Sequence, residues 1–212
     1  MENVITKDQP VITGTEVAYD GYFKINKHSI KAGDIEYTRE VFERGNSVAG
    51  IVHNTVTDKY LFVKQWRPGA QGDMIEIVAG SMDIPGEKPE EALKREVTEE
   101  MGYKVDHINH LRDFYSSPGG TSEVVSLFYV EVSEKIDMGG GVDNENIEVI
   151  EVDYLGPTGT LFWNMDMEND GQMIPPYQLI DAKSIVAVSM VQVNKILGDM
   201  ADVLTQAKMR SL

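Results

Sequence analysis

The sequence predicts an α/β protein: a mixed sheet sandwiched by helices, with a small antiparallel β-sheet ahead of it at the N-terminus. Three observations predict it. Stretches of alternating polarity, the period of half-buried strands, occur at Phe23 to Ile30, Ile35 to Phe42 and Ile147 to Leu155 of the 212-residue chain, with further short strand-like runs between them. Only Pro89 to Gly102 and Asp181 to Lys208 carry a helical period. Strands this numerous with so few helices do not suit a doubly wound parallel sheet.

Residues 1–45 read as an N-terminal β-hairpin or sheet region, and residues 46–212 as the main domain. Met1 to Thr15 is polar with one proline, and loose order is expected there. Phe23 to Ile30 and Ile35 to Phe42 alternate around the turn at Lys31 to Asp34, a hairpin signal. Asn46 to Asn54 and Lys59 to Gln65 read as strands joined by a turn at Thr55 to Asp58. Met74 to Ala79 is a strand that delivers the chain to Gly80. Val105 to Phe114, Glu123 to Val132 and Ile147 to Leu155 are further strands. Ser133 to Asn146 holds Gly139, Gly140 and Gly141 and reads as a flexible loop. The final helical stretch offers Ile185, Val188, Val191 and Ile196 as core contacts, with Gly198 a possible break.

Composition narrows the function. The chain has no cysteine, which removes disulfide frameworks and thiolate zinc sites. No apolar run is long enough to span a bilayer, and Met1-Glu2 does not open a signal peptide, so a cytoplasmic protein is expected. A net charge of −16 argues against nucleic acid and anionic membranes as partners. A phosphate ester substrate would then require local cations.

The stretch from Gly80 to Tyr103 holds the densest chemistry. Gly80, Pro85 and Gly86 form a loop, and Pro89 suits a first helical turn, where its missing N–H costs nothing. Glu87, Glu90 and Glu91 favour the positive end of the helix dipole, and Gly102 suits the stop. Leu93, Val97 and Met101 make an apolar stripe, and Glu96 and Glu100 share a side bordering it. Arg95 and Glu99 lie further round and can pair. Two neighbouring carboxylates repel unless a cation sits between them, and a hard divalent ion is the candidate.

Glu87, seven residues, then Arg95-Glu96-Val97-Thr98-Glu99-Glu100-Met101-Gly102 resembles the signature of the Nudix hydrolases. Two departures stand out. Six residues instead of five separate Gly80 from Glu87, which suggests a one-residue bulge, and the aromatic Tyr103 closes the motif. Arg39 to Gly45, Lys64-Gln-Trp-Arg-Pro68, Glu76-Ile-Val-Ala-Gly80 and Ser117-Pro-Gly-Gly-Thr-Ser-Glu123 resemble the subgroup that hydrolyses ADP-ribose and other nucleoside diphosphate sugars, including GDP-mannose. The resemblance implies a Nudix-type α/β/α sandwich with a mixed sheet and a small N-terminal sheet, the latter exchanged within a homodimer.

It also implies attack of water on a pyrophosphate, assisted by Mg2+ with Mn2+ able to substitute. Glu96 and Glu100 are the expected ligands with the Ala79 carbonyl, and Glu99 is a further catalytic carboxylate. The general base is sought in the acidic loop, at Asp143 or Glu145, with Glu145 preferred and Glu148 nearby. Arg39 and Arg67 are expected on the substrate phosphates, since arginine presents a planar fork to them. Arg44 reads better as an ordinary ion pair. Gly119 and Gly120 offer backbone N–H groups to sugar or phosphate. Glu123 is a candidate for ribose hydroxyls, and Tyr22 or Phe23 for stacking on the base. The four histidines show no ligand spacing.

The leading expectation is a pyrophosphatase converting ADP-ribose to AMP and ribose 5-phosphate. The alternatives are GDP-mannose, a dinucleoside polyphosphate, or a non-catalytic nucleotide sensor on the same fold.

Overall fold

The computed structural model describes residues 9–141, 146–156, 160–162 and 177–210. The chain divides into two compact units. The first comprises Met1–Asn46 with Tyr115–Val124, and the second Ser47–Phe114 with Val125–Leu212.

In the first unit, β1 (Val11–Asp20), β2 (Lys24–Ala32) and β3 (Ile35–Glu43) form an antiparallel sheet in that order. β1 runs through Val11 to Thr15, where loose order was expected. Pairing from Val11↔Lys31 to Asp20↔Lys24 supplies the backbone partners, and composition does not report such long-range bonds. Every residue of β1 is exposed. The segment after residue 115 returns to β3. Phe42 N–H donates to the Gly120 carbonyl at 2.8 Å, and Phe42 bridges Thr121 in parallel.

The second unit is built on a seven-stranded sheet. Its strands are β4 (Ser47–Asn54), β5 (Lys59–Arg67), β6 (Gly72–Glu76), β7 (Val78–Ser81), β8 (Tyr103–Tyr115), β9 (Val124–Lys135) and β10 (Glu148–Val152). The main path is β10-β5-β4-β9-β8. β4 is parallel to β9 and antiparallel to β5, so the sheet is mixed. The β4–β5 hairpin stays paired only from Val52↔Leu61 to Asn54↔Lys59. Beyond that the strands diverge, and β7 pairs with β4 while β6 pairs with β5. The expected single strand over Met74 to Ala79 is therefore two, broken at Ile77. A chain crossing between two diverging partners has to change ladders. The strand expected over Ile147 to Leu155 also breaks, at Asp153. Its second part, β11 (Tyr154–Gly156), joins β12 (Thr160–Phe162) and β13 (Tyr177–Gln178) in a separate small sheet.

Two layers of helix cover the sheet. α1 (Pro89–Glu96) and the turn after it bury Leu93, Val97 and Met101 against Val48, Val52, Val63 and Phe128. α2 (Ala182–Arg210) buries Ala187 and Val188 against Ala49, Ile51, Phe62 and Leu127. Neighbouring β4 side chains thus feed opposite cores, as a pleated strand requires. Each fully buried Leu or Val contributes about 1.5–3 kcal/mol. Ile185 and Val191 pack beside the second cluster, but Ile196 is exposed, contrary to expectation. Helical periodicity does not report where the sheet beneath a helix ends. α2 also continues through Gly198 without a break. Among the described residues, no helix is long and apolar enough to cross a membrane.

Candidate active site

α1 starts at Pro89, as expected, with Glu90 and Glu91 in its first turn. The Glu91 carboxylate accepts the Lys88 N–H at 3.4 Å. The loop before it contains a turn in which Glu87 N–H donates to the Ile84 carbonyl at 3.1 Å, with Gly86 at φ +83°. Pro85 and Gly86 hold the two central positions, the pattern of a type II turn. The α-helix does not run to Gly102. It gives way to a π-helical turn over Val97–Met101, closed by Gly102 at φ +77°. Such turns concentrate at functional sites.

The glycine triplet explains how that end is held. Gly140 N–H donates to the Glu100 carbonyl at 2.8 Å, and Gly141 N–H to the Glu99 carbonyl at 3.1 Å. In return the Gly102 carbonyl accepts Ile136 N–H at 2.8 Å and Asp137 N–H at 3.0 Å. Gly139 sits at φ +71°, and a Cβ there would lie 2.7 Å from the Glu100 carbonyl oxygen. Within the loop expected over Ser133 to Asn146, Gly139 to Gly141 clasp the helix terminus, because its last carbonyls need donors. Asp143 and Glu145, the candidate bases, lie outside the described residues. Glu148 sits on β10 and pairs with Lys64 at 3.3 Å, an exposed contact.

Arg95 organises the acidic side chains. Its Nε and Nη2 donate to Glu87 at 3.3 and 3.4 Å. Nη1 donates to Glu96 at 2.7 Å and to Glu99 at 3.2 Å. These partners, the Glu87 hydrogen bond foremost, push the guanidinium pKa above its ordinary value. The pairing with Glu99 was expected. The bonds to Glu87 and Glu96 were not, and they place a guanidinium beside Glu96. Glu100 lies on the inner side of the π turn, buried at 4% exposure.

Glu96 folds over Gly80. A Cβ at Gly80 would fall on the Glu96 carboxyl group, so only glycine leaves room for it. The carboxylate is thereby set against β7, the strand that carries Ala79. Among the described residues, no three His, Cys, Asp or Glu side chains form a metal-holding group. The proposed donors are two carboxylates and a backbone carbonyl. An all-oxygen set of that size suits a hard divalent cation that retains several waters.

Arg67 ends β5, and its Nε donates to Glu76 at 2.6 Å. Glu76 is buried, and its other oxygen accepts Lys183 Nζ at 2.8 Å. Sequence reasoning missed both partners. The available signal was Asp181-Ala-Lys-Ser at a helix start, where Asp181 accepts the Ser184 N–H at 3.0 Å as an N-cap would.

The remaining candidates belong to the first unit. Arg39 lies over the Tyr37 ring at 4.7 Å and donates to the Thr38 carbonyl at 2.9 Å. Arg44 pairs with Glu123 at 3.6 Å, as an ordinary ion pair would, and Glu123 is buried. Gly119 and Gly120 occupy the loop fastened to Phe42. Gly120 uses its own N–H within that loop, donating to the Ser117 carbonyl at 3.0 Å. Phe23 packs edge-on against Phe42 at 4.9 Å, and Tyr22 against Phe23 at 4.7 Å. Tyr22 itself is 91% exposed.

Comparison with known proteins follows the same outline. The GDP-mannose pyrophosphatase of Escherichia coli (strain K12) is 28% identical over 195 residues, covering 86% of this chain and 94% of that protein. The Shigella flexneri serotype 5b protein of the same name is 27% identical with the same coverage. A crystal structure of an ADP compounds hydrolase superposes with a TM-score of 0.68 at 17% identity, covering 90% of this chain and 96% of that one, a likeness of fold. The NUDIX domain pattern matches residues 43–170, more than half of the chain. With the clustered glutamates of α1 and its π turn inside that match, the chain belongs to the Nudix hydrolase family.

Proposed function

We propose that this Nudix hydrolase is a metal-dependent pyrophosphatase of a nucleoside diphosphate sugar. The observation that carries the reading is the acidic cluster of α1 and its π turn: Glu96 laid over Gly80 and Glu100 turned inward. GDP-mannose and ADP-ribose are the two substrates in view. The sequence reading put ADP-ribose first. The names of the curated relatives move GDP-mannose to the front, with GMP and mannose 1-phosphate as its products.

In this reading Glu96, Glu100 and the Ala79 carbonyl hold Mg2+, with Mn2+ as a substitute. Bound there, the ion supplies charge neutralisation for the pyrophosphate oxygens and acidity for the attacking water. Arg67 and Arg39 orient the phosphates, and Glu99 serves the cluster as a further carboxylate. Asp143 or Glu145 takes the proton from the attacking water. Glu123, Gly119 and Gly120 face the sugar, and Tyr22 or Phe23 stacks on the base. The exposed apolar side chains of β1, among them Val11, Ile12, Val17 and Tyr19, favour a homodimer through the N-terminal sheet. A cytoplasmic location accords with this role.

The test is product analysis after incubation with GDP-mannose, ADP-ribose, NADH and diadenosine polyphosphates, with and without magnesium. Release of a nucleoside monophosphate and a sugar phosphate, only with the metal, supports the reading. Binding without turnover, or turnover of the dinucleoside polyphosphates alone, overturns it. Sedimentation that finds only monomer at micromolar concentration removes the dimer.

A further inference from the structure

The divergence of β4 and β5 opens a fork in the sheet, and a charged network fills it. Glu76, the last residue of β6, is buried there. An ionised carboxylate removed from water requires compensation. One oxygen accepts Arg67 Nε at 2.6 Å, and the other accepts Lys183 Nζ at 2.8 Å. Lys183 lies in the first turn of α2, 107 residues further along the chain. It also contacts Asp181 at 3.0 Å. Asp181 in turn accepts the hydroxyl of Ser184, which is fully buried. Ser184 Oγ accepts the Ile77 N–H at 2.9 Å, at the point where the strand breaks between ladders. The start of α2 is thus bonded to the strand break and to Glu76.

Arginine and carboxylate prefer a bidentate fork, with two parallel N–H···O bonds. Here Glu76 is shared between two cations: Lys183 Nζ bonds one oxygen, and Arg67 makes a single bond to the other. Arg67 is held through Nε, and its terminal Nη groups make no hydrogen bond among the described residues. We propose that Lys183 is a positioning residue for Arg67: by holding one oxygen of Glu76, it limits Arg67 to a single anchoring bond and leaves the Nη pair for substrate phosphate. The inference rests on the reading of Arg67 as a phosphate contact. Without Lys183, the second Glu76 oxygen is buried without its donor, and the nearest mobile N–H groups are those of Arg67. The guanidinium then turns into the bidentate fork and withdraws an Nη from the phosphate.

The test is a double-mutant cycle of Lys183→Met and Arg67→Ala, read as KM and kcat on GDP-mannose and ADP-ribose with magnesium. Lys183→Met is expected to raise KM roughly tenfold, the scale of one charge-assisted hydrogen bond, with kcat little changed. Lys183→Arg, which restores a donor to Glu76, recovers KM. In the Arg67→Ala background Lys183→Met adds nothing further, because the group it positions is gone. A residue that merely stabilises the fold would lower kcat through the active fraction, and its effect would multiply with that of Arg67→Ala. If Arg67→Ala raises KM but Lys183→Met does not, or if the two effects multiply, the positioning role is overturned. Unchanged KM in Arg67→Ala removes the phosphate reading itself and this inference with it. Should Lys183→Met melt too low to assay, Lys183→Leu, which likewise deletes the donor to Glu76 and fills part of the stem's space, carries the same comparison at lower temperature.

Discussion

Replacing Arg95 with methionine tests the acidic cluster most directly. The change keeps an unbranched stem and deletes the charge. Glu87, Glu96 and Glu99 lose their shared partner, at contacts of 2.7 to 3.3 Å. Arg95 is 29% exposed, and its partners are 12%, 12% and 31% exposed, so the pairs are neither fully buried nor free in water. Breaking a buried pair costs about 3–5 kcal/mol and an exposed one about 0–1, which places this loss near 2 kcal/mol. For a chain of this size that lowers Tm by about 4–8 °C. The clustered carboxylates then have no guanidinium to offset their repulsion, and a divalent cation takes over part of that task. Thermal melts with and without magnesium provide the assay. Magnesium should raise the Tm of Arg95→Met more than that of the parent chain. An unchanged Tm, or a fall that magnesium does not lessen, would refute the argument that Arg95 and a cation serve the same carboxylates.

Other perturbations probe separate links. Glu100→Gln should leave the circular dichroism spectrum intact while lowering kcat by more than about a hundredfold, the upper end of what losing an outer partner costs; normal turnover at saturating magnesium removes Glu100 from the site. Gly139→Ala places a side chain in the left-handed region and against the Glu100 carbonyl. Urea titration should show a loss of at least about 1–2 kcal/mol, and a neutral result means the clasp does not bear on the helix end. Burial pushes the Tyr129 phenol above its ordinary pKa, and burial does the same to Tyr60. The folded state therefore favours the neutral phenols. Their contribution is complete below pH about 10, where unfolded tyrosine ionises, and is lost as pH rises beyond it. Melts across this range should fall less steeply for Tyr129→Phe, and parallel curves count against the burial argument.

Local chemistry made part of this protein legible. Pro89, the first-turn glutamates and Gly102 mark both ends of the signature helix, because capping and dipole effects depend on residues within a turn of each end. The hairpins from Lys24 to Glu43 and from Ser47 to Arg67 were readable from alternation and turn residues for the same reason. The break at Ile77 was not readable, since Met74 to Ala79 is one apolar run interrupted only by Glu76, and the interruption of the strand comes from the divergence of β4 and β5. The clasp of Gly139 to Gly141 was equally hidden: glycine-rich composition signals conformational freedom, and distant carbonyls decided how that freedom was used.

The sequence by itself determined most of the strands, the acidic helix and the family whose signature it carries. Tertiary structure decided which cation each carboxylate meets. Glu96 turned to Arg95 over a glycine of β7, and Glu76 received a lysine 107 positions away. The physical reason is one of range. Caps, turns and periodicity act over a few residues, whereas the compensation of a buried charge depends on whatever folding brings within about 3–4 Å of it.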